Sequence, residues 1–533
     1  MRIGPRSLTA LLVAALGAVA SPAAGATLVV ASAGDPDSLD PALAYAPESW
    51  QVLVNAGEGL VAYRRAGGAA GAEVVPALAA RMPVVGDGGR SLTFTLRPDA
   101  RFGPPANRSV RASDVKASLE RIFLAGSPGR GLYRAIRGAE AFEASPTSAG
   151  ISGITARDAS GEGEIALTRS DPSILRVLAL PFAFVLPRGT PASDQSEAAL
   201  ASAGPYRVAA YRRGQSIDLA RNPGYVAGEA GPAAGGRGPS AIHVDIGVGT
   251  DDALARVAGG RADYVQARPS PAQIRAAASD PRDRVRKHVE GATYYFFMNA
   301  RRAPFDDIRV RRAVNRAIDR AGLAKAFGGE AVPTAQVLPP GVPGRRRMDP
   351  TPDPDLARAR ALVARAGATG AIVSIWGPTG DPAPAVTRIL ERTLDRIGLR
   401  ASPRLWDRST MLATLADPGA DSQIGYARWQ QDFPDGADWF PLLFAGSAIR
   451  AGSNLNYALL DDARVNGLID QASGTWDPAA RALAWRAVDK AVAARAAWAP
   501  FANSVRSDVT SRRVGGYVAH QLYGFLWMRA ALG

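Results

Sequence analysis

The 533-residue chain has no cysteine. Disulfide frameworks, cysteine-ligated zinc, iron–sulfur clusters and thiol nucleophiles are therefore excluded, because each needs a thiol or thiolate. Histidine is scarce as well: His243, His288 and His520 lie far apart in sequence, which argues against a histidine-rich metal centre or a serine triad. Lysine stands only at positions 116, 287, 325 and 490, so the 63 cationic residues are almost all arginine. With 49 acids they give a formal charge of +14, but acids separate the arginines along the whole length. No basic block marks a nucleic-acid partner, and none is expected. After the N-terminus no apolar run reaches the ~20 residues a membrane helix needs, so stable membrane insertion is not expected. The motifs G-x-x-x-x-G-K-[ST], G-x-S-x-G and H-E-x-x-H are missing, and Gly247-Val248-Gly249 lacks the third glycine of a dinucleotide fingerprint. No catalytic residue, cofactor or metal site is assigned, and the chain is not expected to be an enzyme.

With 47% hydrophobic and 21% charged residues the chain can bury a large core. Arg2 and Arg6, the apolar stretch Leu8 to Val19 and the small-x-small step Ala24-Gly25-Ala26 read as a cleavable secretory signal over residues 1–26. A lipoprotein signal ends on an acylated cysteine, so a free periplasmic protein is expected rather than a lipid-anchored one. Beyond it, Leu28 to Ala31 and Ser91 to Arg97 have strand character, the second by strict alternation. Val115, Leu119, Ile122 and Phe123 recur at helical spacing behind Ser113 and Asp114, which are good capping residues. Val310, Val314 and Ile318 repeat that spacing, as do Val386, Ile389, Leu390, Leu394 and Ile397; these are helices that bury one face. Tyr294 to Phe297 is an apolar run expected to be a strand in the core, and Trp439, Trp476, Trp485 and Trp498 are expected in the core too. Gly224 to Gly238 and Pro339 to Pro354 are rich in Gly and Pro and read as loops. Helix and strand patterns alternate throughout, which makes the fold class α/β.

A series of short segments in fixed order carries a family resemblance. Asp37-Ser38-Leu39-Asp40-Pro41 is followed by Glu58-Gly59-Leu60, Pro76-Ala77-Leu78-Ala79, Leu92 to Arg97 and Ala112-Ser113-Asp114-Val115. Further on come Gly204-Pro205-Tyr206 and Arg221-Asn222-Pro223-Gly224-Tyr225. Next stands the block from Asn299 through Pro304-Phe305-Asp306 and Val310-Arg311 to Ala317-Ile318-Asp319-Arg320. Trp429-x-x-Asp432-Phe433-Pro434-Asp435 closes the series. The sequence resembles the family 5 extracellular solute-binding proteins, the oligopeptide- and dipeptide-binding components of ABC importers.

That resemblance implies a bilobal periplasmic-binding-protein fold (type II, cluster C-like) with an extra subdomain inserted in the first lobe. The implied boundaries are 27–68, 163–266 and 500–533 for lobe I, 69–162 for the subdomain and 267–499 for lobe II. Hinge crossings are implied near Ala262 to Val265 and Ala499 to Phe501. It also implies a monomer that captures a peptide or peptide-like solute between the lobes and hands it to ABC permease subunits. Asp432 is implied as the partner of the solute's α-amino group, Trp429 as a packing wall, and Tyr45 with Ala46 as the opposite wall. Gly436 stands where the family often has proline. A secreted hydrolase, or the same fold carrying a metal chelate, haem, an opine or a sugar, is the alternative reading.

Overall fold

The computed structural model describes residues 26–231, 238–280, 283–346 and 351–533. The expected secretory signal, apart from Ala26, lies outside the described residues, as do parts of the two expected loops. Eleven strands form one long sheet: β1 (Thr27–Ser32), β2 (Tyr206–Arg212), β3 (Ser216–Arg221), β4 (Ala241–Ile246), β5 (Tyr264–Gln266), β6 (Asp283–Met298), β7 (Ala331–Pro333), β8 (Ile372–Pro378), β9 (Arg400–Trp406), β10 (Ile424–Gln430) and β11 (Trp498–Ser511). Their order is β9-β8-β10-β6-β11-β5-β1-β4-β3-β2, with β7 paired to β11. β1 runs parallel to β4 and β5 in one half, and β8 runs parallel to β9 and β10 in the other. The antiparallel strands β6 and β11, 16 and 14 residues long, join the halves. This is the bilobal α/β architecture.

Burial explains the strand sequences. In the first half Leu28 and Val30 pack with Ile242 and Val244 on one sheet face, while Ala31, Val265 and Val509 fill the other. In the second half Phe296 and Met298 belong to one core, and Tyr295 and Phe297 to the core on the opposite face. A strand covered on both faces reads as a continuous apolar run rather than an alternating one, which is why Tyr295 to Met298 shows no polar break. Tyr294 differs, being only partly buried. Trp439, Trp485 and Trp498 are core residues, whereas Trp476 is half-buried and its indole N–H donates to Ser170 Oγ at 2.8 Å. The β6–β11 register shifts beside Pro500, which has no N–H for the ladder.

A four-stranded antiparallel sheet of Val84–Gly86, Ser91–Thr95, Glu162–Ala166 and Ile154–Arg157 forms a separate layer. Leu92 and Phe94 meet Val115, Leu119 and Ile122 of the helix α1 (Ala112–Leu124) there. This helix begins one residue before its expected capping residues. Asp114 is its third residue, and the carboxylate accepts from the N–H of Arg111 (2.8 Å) and of Arg188 (2.7 Å) while pairing with Arg108 (2.7 Å). The glycine of Gly204-Pro205-Tyr206 answers to close approach, since a Cβ there would lie 2.5 Å from the Ala56 carbonyl oxygen. Gly204→Ala is expected to cost about 1–3 kcal/mol through backbone displacement. Denaturant titration checks this, and an unchanged midpoint would contradict it.

Candidate functional site

The first wall is built by two acids, exposed Asp37 and buried Asp40, whose oxygens are taken by groups of the chain itself. Asp37 Oδ2 accepts from the N–H groups of Tyr45 (2.9 Å) and Ala46 (3.0 Å), and its Oδ1 accepts from Ser38 N–H (2.9 Å) and the Ser49 hydroxyl. Asp40, fully buried, is paired with Arg121 and accepts from Ala42 N–H at 3.0 Å. These bonds fix the turn before the helix Pro47–Ala56 and leave Tyr45 48% exposed. The Tyr45 ring rests on Trp50 and Phe182, both 6.0 Å away between centroids.

The second wall is the segment that follows β10. Its Phe433 is buried in the core that also holds Trp50 and Leu53 of the first half and Leu92 and Phe94 of the separate layer, so the segment bridges the two halves. Tyr45 Oη donates to Asp432 Oδ1 at 2.8 Å, which brings together two residues 387 positions apart. Trp429 is half-buried, and its indole N–H reaches the Asp438 carbonyl (3.1 Å) and carboxylate (3.3 Å). Asp438 also accepts from the Asp432 N–H at 3.0 Å. Ala46 stands beside Tyr45 with its own N–H taken by Asp37. Tyr45, Trp429 and Asp432 are thus linked by direct bonds or one shared acid, and Ala46 adjoins them.

Sequence reasoning missed three groups here. Burial and then the neighbouring Asp432 charge hold the Asp438 carboxyl well above the ordinary carboxylate range. Asp435 is fully buried between Arg176 (2.8 Å) and Arg481 (2.7 Å); burial opposes its ionisation, but the two guanidiniums keep its pKa below the usual value. Arg268, Arg408 and Arg428 line a cavity of about 560 Å³ that also touches Trp429. Only the density of acids, three within seven residues from 432 to 438, hinted at the first two. The other motif residues are scaffold. Glu58 pairs with buried Arg65, Asn222 donates to the carbonyls of Ser202 and Gly204, and Arg311 and Arg320 donate to backbone carbonyls.

Asp432 has no cationic partner among the described residues; Tyr45 supplies a neutral hydroxyl. Burial raises its pKa, and the Tyr45 hydrogen bond offsets part of the rise. A half-buried carboxylate without a counter-charge can pair with an added cation. No group of histidines and carboxylates among the described residues is arranged to hold a metal ion. No helix among them is long and apolar enough to cross a membrane.

Comparison with known proteins agrees with this architecture. The family profile of bacterial extracellular solute-binding proteins, family 5 (middle), matches residues 73–450. The chain is 26% identical to a probable di/tripeptide-binding protein 5 of Pseudomonas aeruginosa (strain UCBPP-PA14), covering 94% of each chain. It is 25% identical to a dipeptide-binding protein of Escherichia coli (strain K12), over 95% of this chain and 94% of that one. Among solved structures, a clavulanic acid biosynthesis oligopeptide binding protein 2 superposes with a TM-score of 0.83 at 28% identity, covering 96% of both. The chain belongs to the bacterial extracellular solute-binding proteins of family 5.

Proposed function

We propose that the protein captures peptides or peptide-like solutes in the cleft between its lobes and delivers them, as a periplasmic monomer, to an ABC permease for import. No bond is made or broken in this role, and the chain is not an enzyme. The observation that carries the reading is Asp432: a carboxylate on the interlobe wall whose only side-chain partner among the described residues is a tyrosine hydroxyl. A free α-amino group supplies the missing charge, Trp429 packs beside it, and Tyr45 with Ala46 forms the facing wall. The peptide-binding names of the relatives support the solute class. Lobe I takes residues 27–68, 167–266 and 500–533, and lobe II takes 267–499. The inserted subdomain starts at 69 and is best ended at 166, which keeps the strand Glu162–Ala166 in its sheet.

Mass spectrometry of the mature protein, native and then denaturing, tests the solute class. Release of short peptides with free amino ends is the expected result. An empty protein that binds no di- or tripeptide in titration calorimetry would overturn it.

The raised pKa of Asp432 gives affinity a defined pH dependence. Only the ionised carboxylate pairs with an ammonium, so affinity is full above the raised pKa. It falls by about tenfold per pH unit below it. Decline should set in above the ordinary carboxylate value near ~4. Tyr45→Phe removes a bond to the charged form and is expected to move the decline to higher pH. Calorimetric Kd values across pH 4 to 8 in both proteins check the pair, and a flat profile would contradict the assignment.

A further inference from the structure

The lining of the 560 Å³ cavity is not explained by an amine anchor. Its walls come only from residues 268–457, and neither Tyr45 nor Ala46 reaches it. A group that fills it points away from the interlobe wall and into the second lobe, which is the direction of a side chain rather than of a solute backbone lying along the cleft. Trp429 lines the cavity and is three residues from Asp432, so the side chain belongs close to the anchored amino end.

Three guanidiniums line the cavity against one carboxylate, Asp381. Two of them are already engaged. Arg268 meets Glu290 at 2.7 Å, and Arg428 lies 3.8 Å from the same carboxylate and over the Tyr294 ring at 5.6 Å. Glu290 is buried, which opposes its ionisation, but Arg268 leads the groups that draw its pKa down to about 2. It is thus an anion that serves two cations.

Arg408 is different. It opens the helix Arg408–Leu415, whose N-terminus is already capped by Asp407 accepting from Thr410 N–H at 3.0 Å. Among the described residues its exposed side chain makes no hydrogen bond or ion pair. Its charge acts on the hydroxyls of Tyr426 and Tyr457, both on the lining. The rest of the wall includes Met411, Leu443 and Leu455. A guanidinium with its donors unused, set among aromatic and aliphatic walls, favours a planar carboxylate that accepts two parallel hydrogen bonds.

We propose that this cavity is a side-chain pocket selective for an acidic residue of the solute, with Arg408 as the specificity-determining cation. The proposal rests on the peptide reading above and narrows it to peptides carrying a side-chain carboxylate. The solute's chain-terminal carboxylate has the same chemistry and is the source the test must separate.

Titration calorimetry with Glu-Ala against Gln-Ala and with Ala-Glu against Ala-Gln, each as free acid and as C-terminal amide, decides it. In the wild-type protein at least one glutamate peptide should bind about tenfold or more tightly than its glutamine isostere, and the preference should survive amidation. In Arg408→Gln the preference should shrink to less than about twofold. Equal binding of glutamate and glutamine peptides overturns the acidic pocket and leaves the peptide reading standing. A preference abolished by amidation assigns the carboxylate to the chain end and overturns the side-chain claim. A preference retained in Arg408→Gln overturns the role of Arg408. If no peptide binds to protein with a native circular dichroism spectrum, the peptide reading and this proposal fall together.

Discussion

Asp432→Asn is expected to weaken binding of a peptide with a free amino end by about 2–3 kcal/mol, roughly 30- to 150-fold in Kd. The substitution keeps the shape of the side chain and its ability to accept from Tyr45 Oη, so the loss isolates the charge. The magnitude follows from the site's environment. Burial already raises the carboxyl's pKa, so the surrounding medium screens an ammonium–carboxylate pair less than water does. An N-acetylated peptide lacks the cation and should bind wild type and variant within a few-fold of each other. Calorimetry on the four combinations measures the coupling directly. Equal affinities of wild type and Asp432→Asn for the free-amine peptide would remove Asp432 from the site.

Asp435→Ala is expected to destabilise the fold by about 3–5 kcal/mol, the range for breaking a buried ion pair by deleting one partner. Arg481, with 2% of its side chain exposed, would keep its bonds to the carbonyls of Ala472, Ser473 and Thr475 but lose its one anion among the described residues. Arg176, 15% exposed, would lose its 2.8 Å contact with the same carboxylate. Because Asp435 joins groups 259 positions upstream and 46 downstream, both lobes should register the loss. Urea unfolding with linear extrapolation reads it. A change under about 1 kcal/mol would show that solvent reaches the two arginines in the native state.

The two expectations separate acids that stand three residues apart in one motif. Asp432 and Asp435 are alike in composition and local pattern, yet among the described residues one is without a cation and the other lies between two. The same division holds in the opening segment, where Asp37 and Asp40 hold the turn that presents Tyr45 and themselves face backbone N–H groups and Arg121. Motif acids in this chain are mainly scaffold.

Much of the fold was legible before any coordinates. Helical spacing at Val310 and Val314 and at Val386, Leu390 and Leu394 marks helices in which these residues are buried and Ile389 is partly buried, because one face of each must leave water. The ordered motifs carried the family and with it the bilobal architecture. Tyr45, Ala46, Trp429 and Asp432 were named by resemblance, since nothing local to Tyr45 signals a partner at position 432. The elements, the lack of thiol and histidine-cluster chemistry, and the family are all readable from the order of the amino acids. Which acids keep a cation, the burial of the Asp438 carboxyl, and the position of Arg408 on a cavity with no partner among the described residues emerge only from the packed chain. Charge pairing between residues hundreds of positions apart depends on how β6 and β11 bring the two halves together, and no periodicity or spacing encodes that distance.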